Sequence, residues 1–455
     1  MQQILIGGSS DDLDNTITEY NLFNSRETWI SAESRRQQLI ATAGIIDNLF
    51  IELETAPGEG KSYIFTLRVN GAPSALTVTI SNTDTTGNDI IHSVSVSAGD
   101  SICIEAAPSG TPDVGLGADS WWTCRFIGTT DQESLILGVS EATLDAAATE
   151  YTYLENGNGN WEATEAYQII PTNGTLKKLY VELESAPGAG KSYVFTLRIN
   201  GANGIITCTV SDTNITANDL VNTIAVSAGD TVGITVTPSG TPNIPRARWG
   251  LIFAPSINGE SILLGGSTNA LNTTTTEYAL IATGETVWSS SENSRSQNTL
   301  ATTYKKLFVK LQNAPTAGKS FTFALRANAG TTDITVAISG TNTTGNNIIN
   351  TYSASNDDQL TFQCIPANTP TIGEAYWGIV SYIAPSNYDC SFSVDDLGLT
   401  FSLGTPTYNT AISCTILAPY FSLALTIPTS AKTTRTDPTR IGGCPFCGTL
   451  NYEDS

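Results

Sequence analysis

Three strings in this sequence carry residue types with chemistry to offer. The first is Gly60-Lys61-Ser62, which returns as Gly190-Lys191-Ser192 and Gly318-Lys319-Ser320. A glycine, a lysine and a hydroxyl in this order suit a phosphate-binding loop, where backbone N–H groups and a helix N-terminus cradle the anion. Such a loop also needs a glycine five residues earlier and a helix afterwards. Thr55, Ser185 and Asn313 stand in the glycine's place, and the stretch Tyr63-Ile64-Phe65-Thr66-Leu67-Arg68 alternates like a strand. The string therefore reads as a hairpin turn, with Pro57 fixing one φ and the glycines supplying positive φ.

The second string is Cys444-Pro445-Phe446-Cys447-Gly448. Its spacing puts two thiolates on one tight turn, which is half of a zinc ribbon. Cys444 and Cys447 are the metal-ligand candidates, and zinc is the one cofactor they suggest. A full site needs two more ligands. There is no second C-x-x-C, His92 is the only histidine, and Cys390 and Cys414 are not spaced for the task. A bound metal, a disulfide within or between chains, and a plain thiol pair all stay open.

The third set is Glu19, Glu150 and Glu277, each followed by a tyrosine. A glycosidase needs two carboxylates across a cleft, and one recurring glutamate does not supply them. Pairing with Arg68, Arg198 and Arg326 is the expected role. Asn222 and Asn350 replace His92 in the other copies, so no repeated Ser-His-Asp arrangement exists, and His92 is expected at the surface. No catalytic residue is assigned, and the chain reads as a non-enzyme.

These strings belong to a repeat. The lysines of the GKS strings are 130 and 128 residues apart. Each copy opens on an apolar triplet and a glycine (Ile4 to Gly7, Leu135 to Gly138, Ile262 to Gly265) and closes on a tryptophan strand at Trp122, Trp249 or Trp377. Between these ends lie period-2 alternation and Gly, Pro, Asn and Asp turns, about eight short strands per copy. The best helical candidate, Arg26 to Ile40, is short. The chain is thus expected to be all-β, with three tandem antiparallel jelly-roll-like β-sandwich domains plus a short strand-rich C-terminal tail. The boundaries are 1–130, 131–257 and 258–385, with the tail at 386–455. Three like domains suit either a disc that imitates a trimer or a rod. The tail's apolar runs are expected to pack on a neighbour or on another chain's sheet edge.

Charged residues make up 14% of the 455, with a net charge of −22, against roughly 25% charged in an ordinary soluble domain. The acidity disfavours nucleic acid and anionic membrane surfaces as partners. Weak calcium binding at Asp11-Asp12-Leu13-Asp14 is a minor expectation, without a full calcium-loop pattern. Cys103, Cys124, Cys208 and Cys364 do not recur at the repeat spacing and read as buried small hydrophobes. The tryptophans, one per strand position in each copy, read as core, with glycan platforms as the alternative. The N-terminus lacks a signal-peptide pattern, and no apolar run reaches membrane-spanning length.

The strings Thr66 to Gly71, Val78 to Ser81, Thr83 to Asp89, Ser93 to Asp100 and Pro108 to Pro112, with their counterparts, resemble a β-sandwich module of uncharacterised phage and environmental virion surface proteins. In shape that module is similar to C1q/TNF-like jelly rolls. The resemblance covers the three repeats and not the tail. It implies a virion surface or extracellular location and a capsid decoration or fibre role. The implied partners are other virion or filament subunits, with self-association. A carbohydrate- or receptor-binding adhesin recognising surface glycans, and a filament subunit joined by strand exchange, are the alternatives. No catalytic residue comes with it.

Overall fold

The computed structural model describes residues 2–384 except 114–118, 131 and 285–286, and beyond them only the segments 391–394, 399–402, 412–418, 421–427 and 451–454. The chain divides into two compact units, Met1–Ala384 and Pro385–Ser455. The first unit is all-β and holds three sandwiches. In the second, Ser391–Val394 pairs with Leu399–Ser402, and Ile412–Ala418, Phe421–Ile427 and Asn451–Asp454 form a three-stranded sheet. Cys444 and Cys447 lie outside the described residues.

The first sandwich shows the plan. Its strands are β1 (Gln2–Ser9), β2 (Glu19–Asn21), β3 (Ser25–Arg26), β4 (Gln38–Leu39), β5 (Gly44–Leu53), β6 (Gly58–Val69), β7 (Ala72–Asn82), β8 (Thr86–Val96), β9 (Ser101–Ser109) and β10 (Ser120–Gly128). One sheet runs β3-β1-β10-β5-β8 and the other runs β2-β9-β6-β7, with β4 also on β9. First and last long strands are neighbours in one sheet, and successive strands alternate between sheets except β6 and β7, which form a hairpin in one sheet. That is the double Greek key of a jelly roll. The second sandwich repeats both sheets, and the third keeps the order with a four-stranded first sheet. The Arg26 to Ile40 stretch forms no α-helix; one 3-10 turn, Glu33–Arg35, sits there.

The GKS string is not a hairpin turn. β5 and β6 belong to different sheets, so Ala56 to Lys61 is the corner between them. Gly58 (φ 93°) and Gly60 (φ 70°) supply the turn, and the register slips between Gly58 and Ser62. Lys61 closes the corner on Asp113. The actual hairpin lies one strand later, at Asn70-Gly71, where both residues have positive φ (53° and 76°); that pair matches the right-handed strand twist.

The core explains the opening glycines. Trp122, Trp249 and Trp377 each pack directly against Gly7, Gly138 or Gly265, where an added Cβ would fall 1.9–2.1 Å from an indole atom. Each indole N–H donates to a carbonyl, of Phe23, Leu154 or Ile281, at 2.8–3.1 Å. A second tryptophan packs on each (Trp29, Trp161, Trp288), with ring centroids 5.2–5.7 Å apart.

The three sandwiches close into a ring. Alternation along an isolated β1 would bury Leu5 and leave Ile4 and Ile6 in water. Leu5 is in its own core, but Ile4 and Ile6 are in the core of the third repeat. Leu135 and Leu137 of the second repeat enter the first core, and Ile262 and Leu264 of the third enter the second. The short strands run the same circuit: β4 lies against the second sandwich, Gln168–Ile169 against the third, and Gln297–Asn298 against the first. Within the first unit the three sandwiches contact one another in a closed cycle, not in a row.

Candidate functional site

The residues that join the repeats form the candidate site, because they make three sandwiches into one body. At the first seam Glu133, 1% exposed, takes both Lys177 and Lys178 at 2.8 Å, and Thr42 of the first repeat donates to it. Adjacent strand residues normally point to opposite faces. A bulge between Lys177 and Leu179, with Lys178 at φ 58°, turns both ammonium groups to one side. The second seam repeats the device with Glu260, Lys305 (3.0 Å), Lys306 (2.7 Å) and Thr172 (2.7 Å). Burial works to raise both carboxyls, but hydrogen bonds from the lysines and the threonine outweigh it and hold them below the usual range. At both seams a glycine admits a backbone carbonyl: a Cβ on Gly250 or Gly378 would sit 2.1 Å from the oxygen of Leu39 or Ile169.

The closing seam, third repeat to first, uses other residues. Gln2 stands where Glu133 and Glu260 stand, and Asp47-Asn48 replaces the lysine pair. Thr123 replaces the glycine, and its hydroxyl bonds Leu5 O at 3.0 Å. Arg26 pairs with Asp119 at 2.6 Å with both side chains buried, and both Arg26 and the Trp121 indole donate to Ser296 O. Asn298 donates to Glu52, and Ser25 meets Thr283 at 3.0 Å between hydroxyls. Burial pushes the Asp119 carboxyl up and the Arg26 guanidinium down despite their pairing.

The equivalent residues Asn24, Glu155 and Ala282 follow the carbonyls that receive the indoles. Glu155 belongs to the second repeat, accepts Asn24 Nδ2 of the first at 3.0 Å, and accepts Leu264 N of the third at 2.9 Å. One carboxyl therefore touches all three repeats. No lysine or arginine pairs with it among the described residues. Burial pushes it up to about 7, against the pull of those two hydrogen bonds.

The residues singled out in the sequence fall elsewhere. Glu19, Glu150 and Glu277 do not pair with Arg68, Arg198 and Arg326. Each accepts a backbone N–H five residues upstream, at Asp14, Asp145 or Asn272, and so ties down its own loop. The arginines pair with Glu33, Glu165 and Glu292 and lie over Tyr20, Tyr151 and Tyr278. Asp14 caps Thr16 and Ile17. Among the described residues no group of three His, Cys, Asp or Glu side chains is placed to hold a metal ion. His92 is exposed, with its ring on Asp89. Cys103, Cys124, Cys208 and Cys364 are buried free thiols that burial pushes up, which leaves them poor nucleophiles. All seven tryptophans are buried.

Sequence reasoning missed the seam residues. The signal was present: Ile4-Leu5-Ile6 and its two counterparts are apolar on both faces of a strand, which asks for a core on each side. Against known protein families and curated proteins, the chain matches none.

Proposed function

We propose that this chain is a non-enzymatic structural protein of a virion surface, a capsid decoration or fibre component, in which one chain supplies what three subunits supply in a trimer. The cyclic insertion of Ile4 and Ile6, Leu135 and Leu137, and Ile262 and Leu264 into neighbouring cores carries this reading. A closed ring of three like sandwiches presents like faces about an axis. It suits a threefold point on a shell or the axis of a fibre. A net charge of −22 with few charged residues keeps such rings soluble and apart from nucleic acid. In this reading the C-terminal unit is the attachment segment. Its strands Ile412–Ala418 and Phe421–Ile427 have the apolar content of a strand that adds to another chain's sheet.

The test is incorporation into particles. A chain ending at Ala384 is expected to keep the ring and to stay off particles that the full chain joins. Equal incorporation of both would overturn the reading. A glycan-binding adhesin is the second reading. The buried tryptophans leave it without indole stacking platforms.

A further inference from the structure

The outer strand of each first sheet carries an apolar pair that no core takes up. Ile90 and Ile91 on β8 recur as Leu220 and Val221 on Thr216–Val226 and as Ile348 and Ile349 on Thr344–Ala354. All six are exposed, and Ile91, Val221 and Ile349 reach 87%, 87% and 86%. Single exposed aliphatics are ordinary on a protein surface. A contiguous pair at the same place in three sandwiches is not.

The backbone is built to project these pairs. On β8 the pairing passes from Ser93 opposite Asp47 to Asp89 opposite Leu49, so three residues of the outer strand face one of its neighbour. The same excursion lies between Asp219 and Thr223 and between Asn347 and Thr351. One side chain holds it in each repeat. Asp89 accepts the N–H of Ile91 at 3.2 Å and of His92 at 3.0 Å, and a third from Thr77 of β7 at 3.0 Å. Asp219 does the same for Val221, Asn222 and Thr207. Asn347 accepts Ile349 N and Asn350 N, and its amide donates to Thr335 O. A bulge blunts a sheet edge, and charged residues on it would blunt the edge further. Here the bulge presents apolar residues in all three repeats.

Charge and number say what covers the pairs. No exposed residue on these three strands is Asp, Glu, Lys or Arg. Two copies at −22 each repel one another. They meet closely only across surface that carries no charge, and these strands supply it. The closed cycle sets the three pairs at equivalent places around it, so a partner that covers all three must itself repeat three times. A second copy of the chain does so. A self-complementary contact then buries the same six aliphatic side chains of each copy.

We propose that these three pairs are the contact through which two copies of this chain associate. The inference stands independently of the virion reading, which particle incorporation tests separately.

The experiment is sedimentation of the full chain over a range of concentrations, at physiological and at high salt. A reversible shift from one copy to two is expected, stronger at high salt, which screens the repulsion. Ile91→Ser with Val221→Ser and Ile349→Ser should weaken association roughly a hundredfold. Its thermal midpoint in dilute solution should match the parent's, because these side chains already stand in water. Ile91→Leu with Val221→Leu and Ile349→Leu should associate like the parent. The proposal is overturned if the full chain stays single at every concentration, or if the serine variant associates like the parent. It is also overturned if the leucine variant loses association as fully as the serine variant, or if the pairs instead hold the chain to phosphatidylcholine vesicles.

Discussion

At the seam between the first and second repeats, a glycine backbone meets a carbonyl and a buried glutamate takes two lysines. At the seam between the third and the first, a threonine stands in the glycine's place and a buried arginine–aspartate pair does the charged work. The difference follows from connectivity. The first two seams join repeats linked through a few residues, so their contacts form at high effective concentration. The closing seam joins residues such as Ser25 and Thr283, which are 258 apart in sequence, and its loop closure costs more. Ion pairing does not make up that cost. Burial pushes Asp119 up and Arg26 down in spite of their contact, so desolvation outweighs attraction there. The carboxyls of Glu133 and Glu260 end below their usual range. Apolar insertion of Ile4 and Ile6 therefore carries the closing seam, and Arg26, paired with Asp119 inside the first repeat, reaches Ser296 O across it.

The largest effect should come from the apolar plug. Ile4→Ala with Ile6→Ala removes two buried side chains from the third core, at about 2–5 kcal/mol each. The ring should open at the closing seam, with a larger radius of gyration in small-angle scattering. The same change at Leu135 and Leu137 should cost as much stability and leave the ring less open, because a linker still holds that seam. Equal expansion in both variants would break the comparison.

Next comes pH. Glu155, near 7 when folded against an ordinary 4.5, contributes stability that is complete below pH 4.5 and is lost as pH rises through 7. The gap amounts to about 3 kcal/mol. Glu133 and Glu260, held low, act in the opposite sense. Their contribution is present above pH 4.5 and is lost as pH falls through their folded values. Thermal midpoints should therefore decline on both sides of a mildly acidic optimum. Glu155→Gln should flatten the alkaline side alone; an unchanged alkaline decline would remove Glu155 from the account.

Smaller effects separate the charged clusters. Glu133→Gln leaves Lys177 and Lys178 facing each other without a counter-charge. With the ammonium groups partly in water, the cost should be about 1–2 kcal/mol in denaturant unfolding. Replacing both members of the other pair, Arg26→Met with Asp119→Leu, should cost less, within about 1 kcal/mol of the parent. A larger loss in the double variant would reverse the ranking of the seams.

The sandwiches were legible because strand alternation and turn residues are local signals. Leu49, Ile51 and Leu53 are buried and alternate with the partly buried Phe50 and Glu52, as a strand with one core face does. The corner at Gly58 and Gly60 was misread as a hairpin, since glycines announce a positive φ without saying whether the next strand stays in the sheet. Glu19 and Arg68 both recur, which suggested a pair, but recurrence shows only that each repeat uses the residue. Glu155 was invisible for the converse reason. Its significance lies in differing from Asn24 and Ala282, and in contacts with two other repeats. Ring closure was written in Ile4-Leu5-Ile6, apolar on both faces, yet nothing local says whose core receives the second face.

Closure of the ring within one chain is tested most directly by a cross-link across the closing seam. Ser25 Oγ and Thr283 Oγ1 are 3.0 Å apart, so cysteines at both positions are within bonding reach. Mild oxidation of the Ser25→Cys, Thr283→Cys chain should give a monomeric species that runs faster on a non-reducing gel, with one peptide pair joined through residues 25 and 283. Free maleimide labelling of both thiols, with no 25–283 peptide under oxidation, would contradict the closed ring.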